Sequence, residues 1–143
     1  MARVLGVARP RYAIVENPPG LLDRGLGQVL GSLAALGYDA EWGVFSACQL
    51  GAPHTRERVL VVAYPEGHMG AERLGILDRV EQSLSALDHG ARAEAWLATA
   101  PDVRGMADGS ADWLQRLEAI GNSFMPAWAE RLGRAILEAD GLT

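Results

Sequence analysis

Lysine is absent from this sequence, cysteine occurs once, and no apolar run reaches the length of a membrane span. All 13 basic residues are arginine, and they face 18 acidic residues to give a net charge of −5. The single cysteine, Cys48, excludes an internal disulfide and a zinc site built from cysteines. With neither an apolar run of about 18 residues nor a secretory-type start, the chain is expected to be cytoplasmic and to have no membrane partner.

The charge is unevenly distributed along the chain. Residues 1–65 carry 6 arginines against 5 acids, whereas residues 66–143 carry 7 arginines against 13 acids. An acidic second half is unusual for a free-standing nucleic-acid-binding protein. Any binding of DNA would therefore depend on a few placed arginines or on a partner chain.

Residues 12–20 are the stretch around which we expect the fold to be arranged. Residues 12–15 have the composition of a strand buried on both faces, as in a parallel sheet, and Pro18 and Pro19 must end it. Glu16 and Asn17 then fall at the carboxyl end of a central strand, where open α/β sheets bind ligands. A carboxylate there can accept a hydrogen bond from an amine or, when protonated, donate one to a ring nitrogen. Alternatively, the pair simply caps the next helix.

Apolar spacing predicts the remaining elements of an α/β fold. A helix that ends at Gly37 is predicted from the spacing of Leu22, Leu26, Val29, Leu30, Leu33 and Leu36. Residues 40–45 and 59–63 are predicted strands joined by a loop over residues 49–57. No complete supersecondary unit is expected in residues 1–10. A helical segment is predicted from the stripe Leu74, Leu77, Val80, Leu84 and Leu87. Short helices follow, and Pro126 begins the last one.

Two further clusters carry polar chemistry. Arg56 and Arg58 stand two residues apart at the start of a predicted strand, so both point to one face and could bind a carbonyl oxygen or a phosphate. The alternative is an exposed pair around Glu57. The run Gly121-Asn122-Ser123 offers backbone amides at a helix start, suited to a carboxylate, or forms a plain turn between helices.

The order of these motifs resembles the carboxyl-terminal portion of cytosine-5 DNA methyltransferases. The pattern is Glu-Asn after a strand, then Pro-x-x-Arg-x-Arg before another strand, then Gly-Asn-Ser before a terminal helix. The resemblance implies part of a methyltransferase, Rossmann-like sheet with flanking helices and a helical insert. Residues 1–65 would be the back half of the catalytic sheet, residues 66–104 a short helical segment at the target-recognition position, and residues 105–143 helices returning to the catalytic domain.

The same resemblance implies a role for each matching residue. Glu16 would hydrogen-bond the ring nitrogen and amine of a cytosine flipped out of DNA, and Arg58 would contact its carbonyl oxygen. Glu16 and Arg58 are thus expected to converge on opposite edges of one pyrimidine. Arg56 would support the site, and Asn17 would hold the loop that carries the nucleophile.

Of the family's motifs for the cofactor and the nucleophile, the chain contains only a part. Asn122 and Ser123 would lie near the amino-acid end of S-adenosylmethionine. The family's Pro-Cys nucleophile and glycine-rich cofactor loop precede the Glu-Asn strand, and this chain is expected to begin too late to contain them. Cys48 follows Ala47 rather than proline, so we interpret it as a small buried thiol.

These departures leave three hypotheses. The first is a truncated or split methyltransferase that acts on DNA only with a complementing amino-terminal half. The second is a non-catalytic interaction module or a decaying gene product. The third is a complete small enzyme that uses Cys48, which predicts activity of the purified chain that Cys48→Ser abolishes.

Overall fold

A computed structural model of the chain describes residues 1–52, 54–69, 74–86 and 125–142. These residues form an α/β arrangement of one sheet with helices on both faces. The helices are α1 (Ala2–Ala8), α2 (Leu21–Arg24), α3 (Leu26–Ala35), α4 (Ile76–Ser85) and α5 (Pro126–Ala139). The strands are β1 (Ala13–Asn17), β2 (Tyr38–Ser46) and β3 (Glu57–Pro65), and a 3₁₀ helix, Ala47–Leu50, follows β2.

The three strands pair in the order β1-β3-β2, and both pairings are antiparallel. Val61 of β3 lies opposite Val15 of β1 and Trp42 of β2. The expectation of a parallel arrangement with the first strand at its centre is wrong for the described sheet. The central strand is β3, whose residues 59–64 are buried between the helices on the two faces. Ile14 of the edge strand β1 is 42% exposed.

Helices α1 and α3 cover one face of the sheet. Leu33 of α3 is fully buried against the face that carries Val61. The predicted helix is confirmed, although Gly25 divides it into α2 and α3. Gly37 has φ 76°, the left-handed conformation predicted for the residue after this helix. Residues 1–10 contain the single helix α1, whose Leu5 joins this core, which agrees with the expectation that no complete supersecondary unit precedes the first strand.

Helices α4 and α5 cover the other face. The predicted stripe on α4 is confirmed at Leu77, Val80 and Leu84, which are buried. Glu41 of β2 starts this helix, since its carboxylate accepts hydrogen bonds from the N–H groups of Ile76 and Leu77, each at 2.8 Å. Pro126 begins α5 as predicted, and Trp128 and Leu132 of α5 face the core.

Several predictions fall outside the described residues. They include the short helices after residue 104, the Gly121-Asn122-Ser123 run and most of the segment 66–104. The division of the chain at residues 65 and 104 therefore stays a prediction. Within the described ranges, no helix is long and apolar enough to cross a bilayer, and no three acidic, histidine or cysteine side chains are grouped as metal ligands would be.

Candidate functional site

Glu16, Arg56 and Arg58 meet at the end of the sheet where β1 stops and β3 begins. Arg58 Nε lies 2.6 Å from Glu16 Oε1, and a terminal nitrogen of Arg56 lies 3.8 Å from the same oxygen. The three side chains retain 18–20% of their exposure, so they are shielded without being sealed from solvent. The structure thus brings together the acid and both arginines that the sequence singled out, and we call them the Glu16 cluster.

Strand register explains how this cluster forms. Glu16 lies opposite Leu60, and Arg58 precedes Leu60 by two positions on β3. Residues two apart on a strand share a face, so both charged side chains point to the face covered by α4 and α5. Arg56 stands just before β3, where its carbonyl oxygen accepts a hydrogen bond of 2.9 Å from the N–H of Ala47.

The electrostatics of the cluster are those of one carboxylate shared by two guanidinium groups. Burial and, secondarily, the neighbouring Arg58 charge lower the pKa of Arg56, while Glu16 opposes that shift. Arginine nevertheless stays protonated in water at any ordinary pH. The cluster therefore holds two positive charges against one negative charge.

One oxygen of the cluster is held by charge and not by a well-aligned hydrogen bond. Glu16 Oε1 is buried and forms an ion pair with Arg58 Nε at 2.6 Å, although no well-aligned hydrogen bond to this oxygen is found in the part of the chain that the structure describes. Buried acceptors in proteins normally accept at least one well-aligned hydrogen bond. A ligand that reaches this oxygen has to displace Arg58 or share the oxygen with it.

The first turn of α5 lies next to this end of the sheet. The Trp128 ring packs edge-on against Phe45, with 4.9 Å between ring centroids. Phe45 lies opposite Arg58 in the β2–β3 register. The predicted cofactor residues Asn122 and Ser123 precede this turn in sequence but lie outside the described residues.

Two other candidate residues are placed apart from the cluster. Asn17 ends β1 opposite Val59, on the sheet face that α3 covers, so its side chain leaves β1 away from Glu16. Cys48 lies in the 3₁₀ helix and is exposed, which corrects the interpretation of a buried thiol. Its Sγ donates to Ser46 Oγ at 3.2 Å.

Sequence reasoning missed a second polar cluster at the opposite end of β1. Tyr12 donates a hydrogen bond of 2.7 Å to Asp140 Oδ1, and His68 Nε2 lies 2.8 Å from the Tyr12 hydroxyl. Arg11 approaches the same Asp140 oxygen at 2.9 Å. Because Tyr12 and Asp140 are 128 positions apart, no local pattern could have linked them. We call these four residues the Asp140 cluster.

Comparison with known proteins adds a family match to this geometry. The model of a family described as C-5 cytosine-specific DNA methylase matches residues 1–87, which include both the Glu16 cluster and the three strands. No solved structure matches the chain with significant similarity.

Two curated proteins are similar to the chain over part of their length. The type II methyltransferase M.NaeI of Lentzea aerocolonigenes is 33% identical over 111 residues, which cover 68% of this chain and 26% of that protein. The type II methyltransferase M.AgeI of Thalassovita gelatinovora is 32% identical over 89 residues, covering 53% of this chain and 21% of that protein. The chain thus matches about a quarter or less of either relative.

Proposed function

The chain belongs to the C-5 cytosine-specific DNA methylase family, and on that premise we propose that it supplies the cytosine-binding part of a DNA methyltransferase. The observation that carries this proposal is the Glu16 cluster, where one carboxylate meets two guanidinium groups and Arg58 Nε lies 2.6 Å from Glu16 Oε1. The pairing edge of cytosine carries a carbonyl acceptor and an amine donor, which an adjacent arginine and carboxylate can bind together. The reaction is transfer of a methyl group to carbon 5 of that base.

A base must leave the duplex stack before its ring carbon can be reached, and a pocket then reads its pairing edge. Because Glu16 and Arg58 touch, a cytosine would meet them along one edge and not lie between them. Arg58 covers Glu16 Oε1 in the free chain. When the base enters, Arg58 would move from Glu16 to the cytosine carbonyl oxygen. The Glu16 carboxylate would then accept a hydrogen bond from the exocyclic amine. Arg56 would keep a positive charge beside both groups.

The methyl donor that the resemblance implies is S-adenosylmethionine, a sulfonium compound with an adenine ring and an amino-acid end. The described residues do not fit it by themselves, because the Glu16 cluster offers charged groups and no pocket for an adenine ring. Asn122 and Ser123 are proposed as contacts to its amino-acid end, and no step is derived through it. Asn17 is proposed to hold the loop that carries the nucleophile.

A complementing amino-terminal half is part of the proposal. The single cysteine follows Ala47 and lies after the strand that carries Glu16, whereas the family's nucleophile precedes that strand and follows a proline. The chain also matches only 21% and 26% of its two curated relatives. A second polypeptide would therefore supply the nucleophile and the glycine-rich cofactor loop, and the two together are called the assembled enzyme.

Co-expression tests the proposal directly. The chain would be produced with an amino-terminal methyltransferase half that contains the Pro-Cys motif and the glycine-rich loop, and host DNA would be mapped by bisulfite sequencing. We expect methylated cytosines only when both parts are present, and their loss with Arg58→Ala. The half produced alone is the control. A stable complex that leaves the DNA unmodified would contradict the proposal.

A non-catalytic interaction module is the second candidate, and one observation favours it. Among the described strands β1 pairs only with β3, and Ile14 on this edge strand is 42% exposed. An unpaired strand edge with apolar side chains favours association with another chain. Light scattering separates the candidates in part, since a chain that stays monomeric and binds neither DNA nor a complementing half supports neither.

A further inference from the structure

The turn between β2 and β3 is held by a reciprocal pair of hydrogen bonds between two side chains and the backbone. The N–H of Ser46 donates to Gln49 Oε1 at 2.7 Å. The Ser46 side chain in turn accepts from the N–H of Gln49, so the two residues form a capping box for the 3₁₀ helix Ala47–Leu50. This box fixes the direction in which the chain leaves β2.

Core packing and a left-handed glycine also hold the turn in place. Ala47 and Leu50 are buried in the core on the α4 and α5 face. Gly51 adopts φ 87°, a conformation that side chains rarely tolerate, and ends the 3₁₀ helix. Ala47 can therefore move little once Ser46 and Gln49 are in place.

The turn reaches the Glu16 cluster through Arg56. Arg56 precedes the first residue of β3, so it does not belong to the strand ladder. Its carbonyl oxygen accepts the N–H of Ala47 at 2.9 Å, and its own N–H points to His54 Nδ1 at 3.4 Å. Of these two contacts, the shorter comes from the residue that the capping box holds.

We propose that Ser46 and Gln49 are positioning residues for Arg56, which they hold beside Glu16 through the backbone of Ala47. This inference rests on the proposed function, because it gives Arg56 its place in the cytosine-binding site. Neither residue touches the base. Both act by keeping a guanidinium group within 3.8 Å of the Glu16 carboxylate.

Three variants of the full chain test the inference without requiring activity. Gln49→Ala removes the acceptor for the Ser46 N–H, whereas Gln49→Glu replaces the amide oxygen by a carboxylate oxygen that can still accept. Glu41→Ala is the matched control, since it removes acceptors from the start of α4 on the same strand, β2. The readout is the side-chain Nε–H signal of Arg56 in a heteronuclear NMR spectrum. We expect Gln49→Ala to shift it and Gln49→Glu and Glu41→Ala to leave it in place.

A merely structural role gives a different result. Gln49→Ala would then lower thermal stability as Glu41→Ala does while the Arg56 signal stays unmoved, and that outcome overturns the inference. In the assembled enzyme, we expect Gln49→Ala to lower kcat/KM roughly 10-fold and Gln49→Glu to restore it. If the NMR shift occurs but no assembled enzyme methylates DNA, the proposed function fails and the positioning of Arg56 stands.

Discussion

An acidic side chain is paired with arginine at each end of β1, but Asp140 at one end and Glu16 at the other differ in the hydrogen bonds that they accept. Asp140 has one oxygen in contact with Tyr12 at 2.7 Å, Arg11 at 2.9 Å and His68 at 3.3 Å. Glu16 Oε1 has arginine nitrogens at 2.6 and 3.8 Å but no hydrogen bond from the described residues. The two sites are only about 13 Å apart along the strand.

This difference separates a structural cluster from a candidate binding cluster. The contacts of Asp140 join the end of α5 to the start of β1, and they all meet one carboxylate oxygen, Oδ1. The contacts of Glu16 bring charge together without completing its hydrogen bonding. Because Glu16 is held mainly by charge whereas Asp140 also accepts a hydrogen bond from Tyr12, we assign ligand binding to the Glu16 cluster and stabilisation of the fold to the Asp140 cluster.

Replacing Trp128 by alanine should have the largest effect, because α5 reaches both ends of β1. Trp128 is 2% exposed and packs on Phe45, so its loss should lower the free energy of unfolding by about 3–5 kcal/mol. Urea unfolding measures the effect. The control is Leu137→Ala on the same helix, where the side chain is 43% exposed and the cost should be small. Equal costs for the two variants would show that α5 does not depend on this contact.

The stability lost on Tyr12→Phe should depend on pH, which tests the role of the Asp140 cluster. The hydrogen bond from Tyr12, followed by His68 and Arg11, lowers the pKa of Asp140. A carboxyl group whose pKa is lowered on folding stabilises the fold above its unfolded pKa of about 3.9, and that contribution is lost as the pH falls through the folded pKa. The stability difference between wild type and Tyr12→Phe should therefore be full near neutral pH and shrink below about pH 4.

The matched control for this titration is Tyr38→Phe. The Tyr38 hydroxyl donates to the carbonyl oxygen of Pro10 at 2.6 Å, so its partner is the backbone and carries no titrating charge. Chemical unfolding at several pH values should show a loss for Tyr38→Phe that does not vary with acid. A Tyr12→Phe loss that is equally constant would mean that the Asp140 carboxylate does not stabilise the fold.

Arg134→Ala should have the smallest effect. Arg134 pairs with Glu130 one helical turn away, at 2.9 Å, and both side chains are more than half exposed. Such pairs contribute about 0.3–0.5 kcal/mol, and salt screens them. We expect a loss of this size at low salt, measured by thermal unfolding, and none at high salt. A larger loss would show that exposed ion pairs matter here as much as the two clusters do.

Local sequence patterns predicted the elements of the fold better than their arrangement. The spacing of Leu77, Val80 and Leu84 and the glycine at position 37 each act within a few residues, and both predictions held. Strand direction depends on which distant strand is available as a partner. That is why a short apolar run was interpreted as part of a parallel sheet although it pairs antiparallel with β3.

In the candidate site, too, some contacts follow from local sequence patterns and others do not. Glu16 and Arg58 could be linked beforehand because each stands at the end of a predicted strand and a family motif relates them. The Ser46–Gln49 capping box has the Ser-x-x-Gln pattern typical of such boxes, but its link to Arg56 depends on the hydrogen bond between Ala47 and Arg56, which no local pattern predicts. The Asp140 cluster depends on a contact between the two ends of the chain, which no window of sequence contains.

The most direct test of the central claim compares the two acids in the assembled enzyme. Methyl transfer to cytosine would be measured for Glu16→Gln and Asp140→Asn at one temperature at which both variants are folded. We predict that Glu16→Gln lowers kcat by about 100-fold or more, and that Asp140→Asn stays within about threefold of wild type. Equal activity of the two variants, or full activity of Glu16→Gln, would contradict the assignment of Glu16 to the cytosine-binding site.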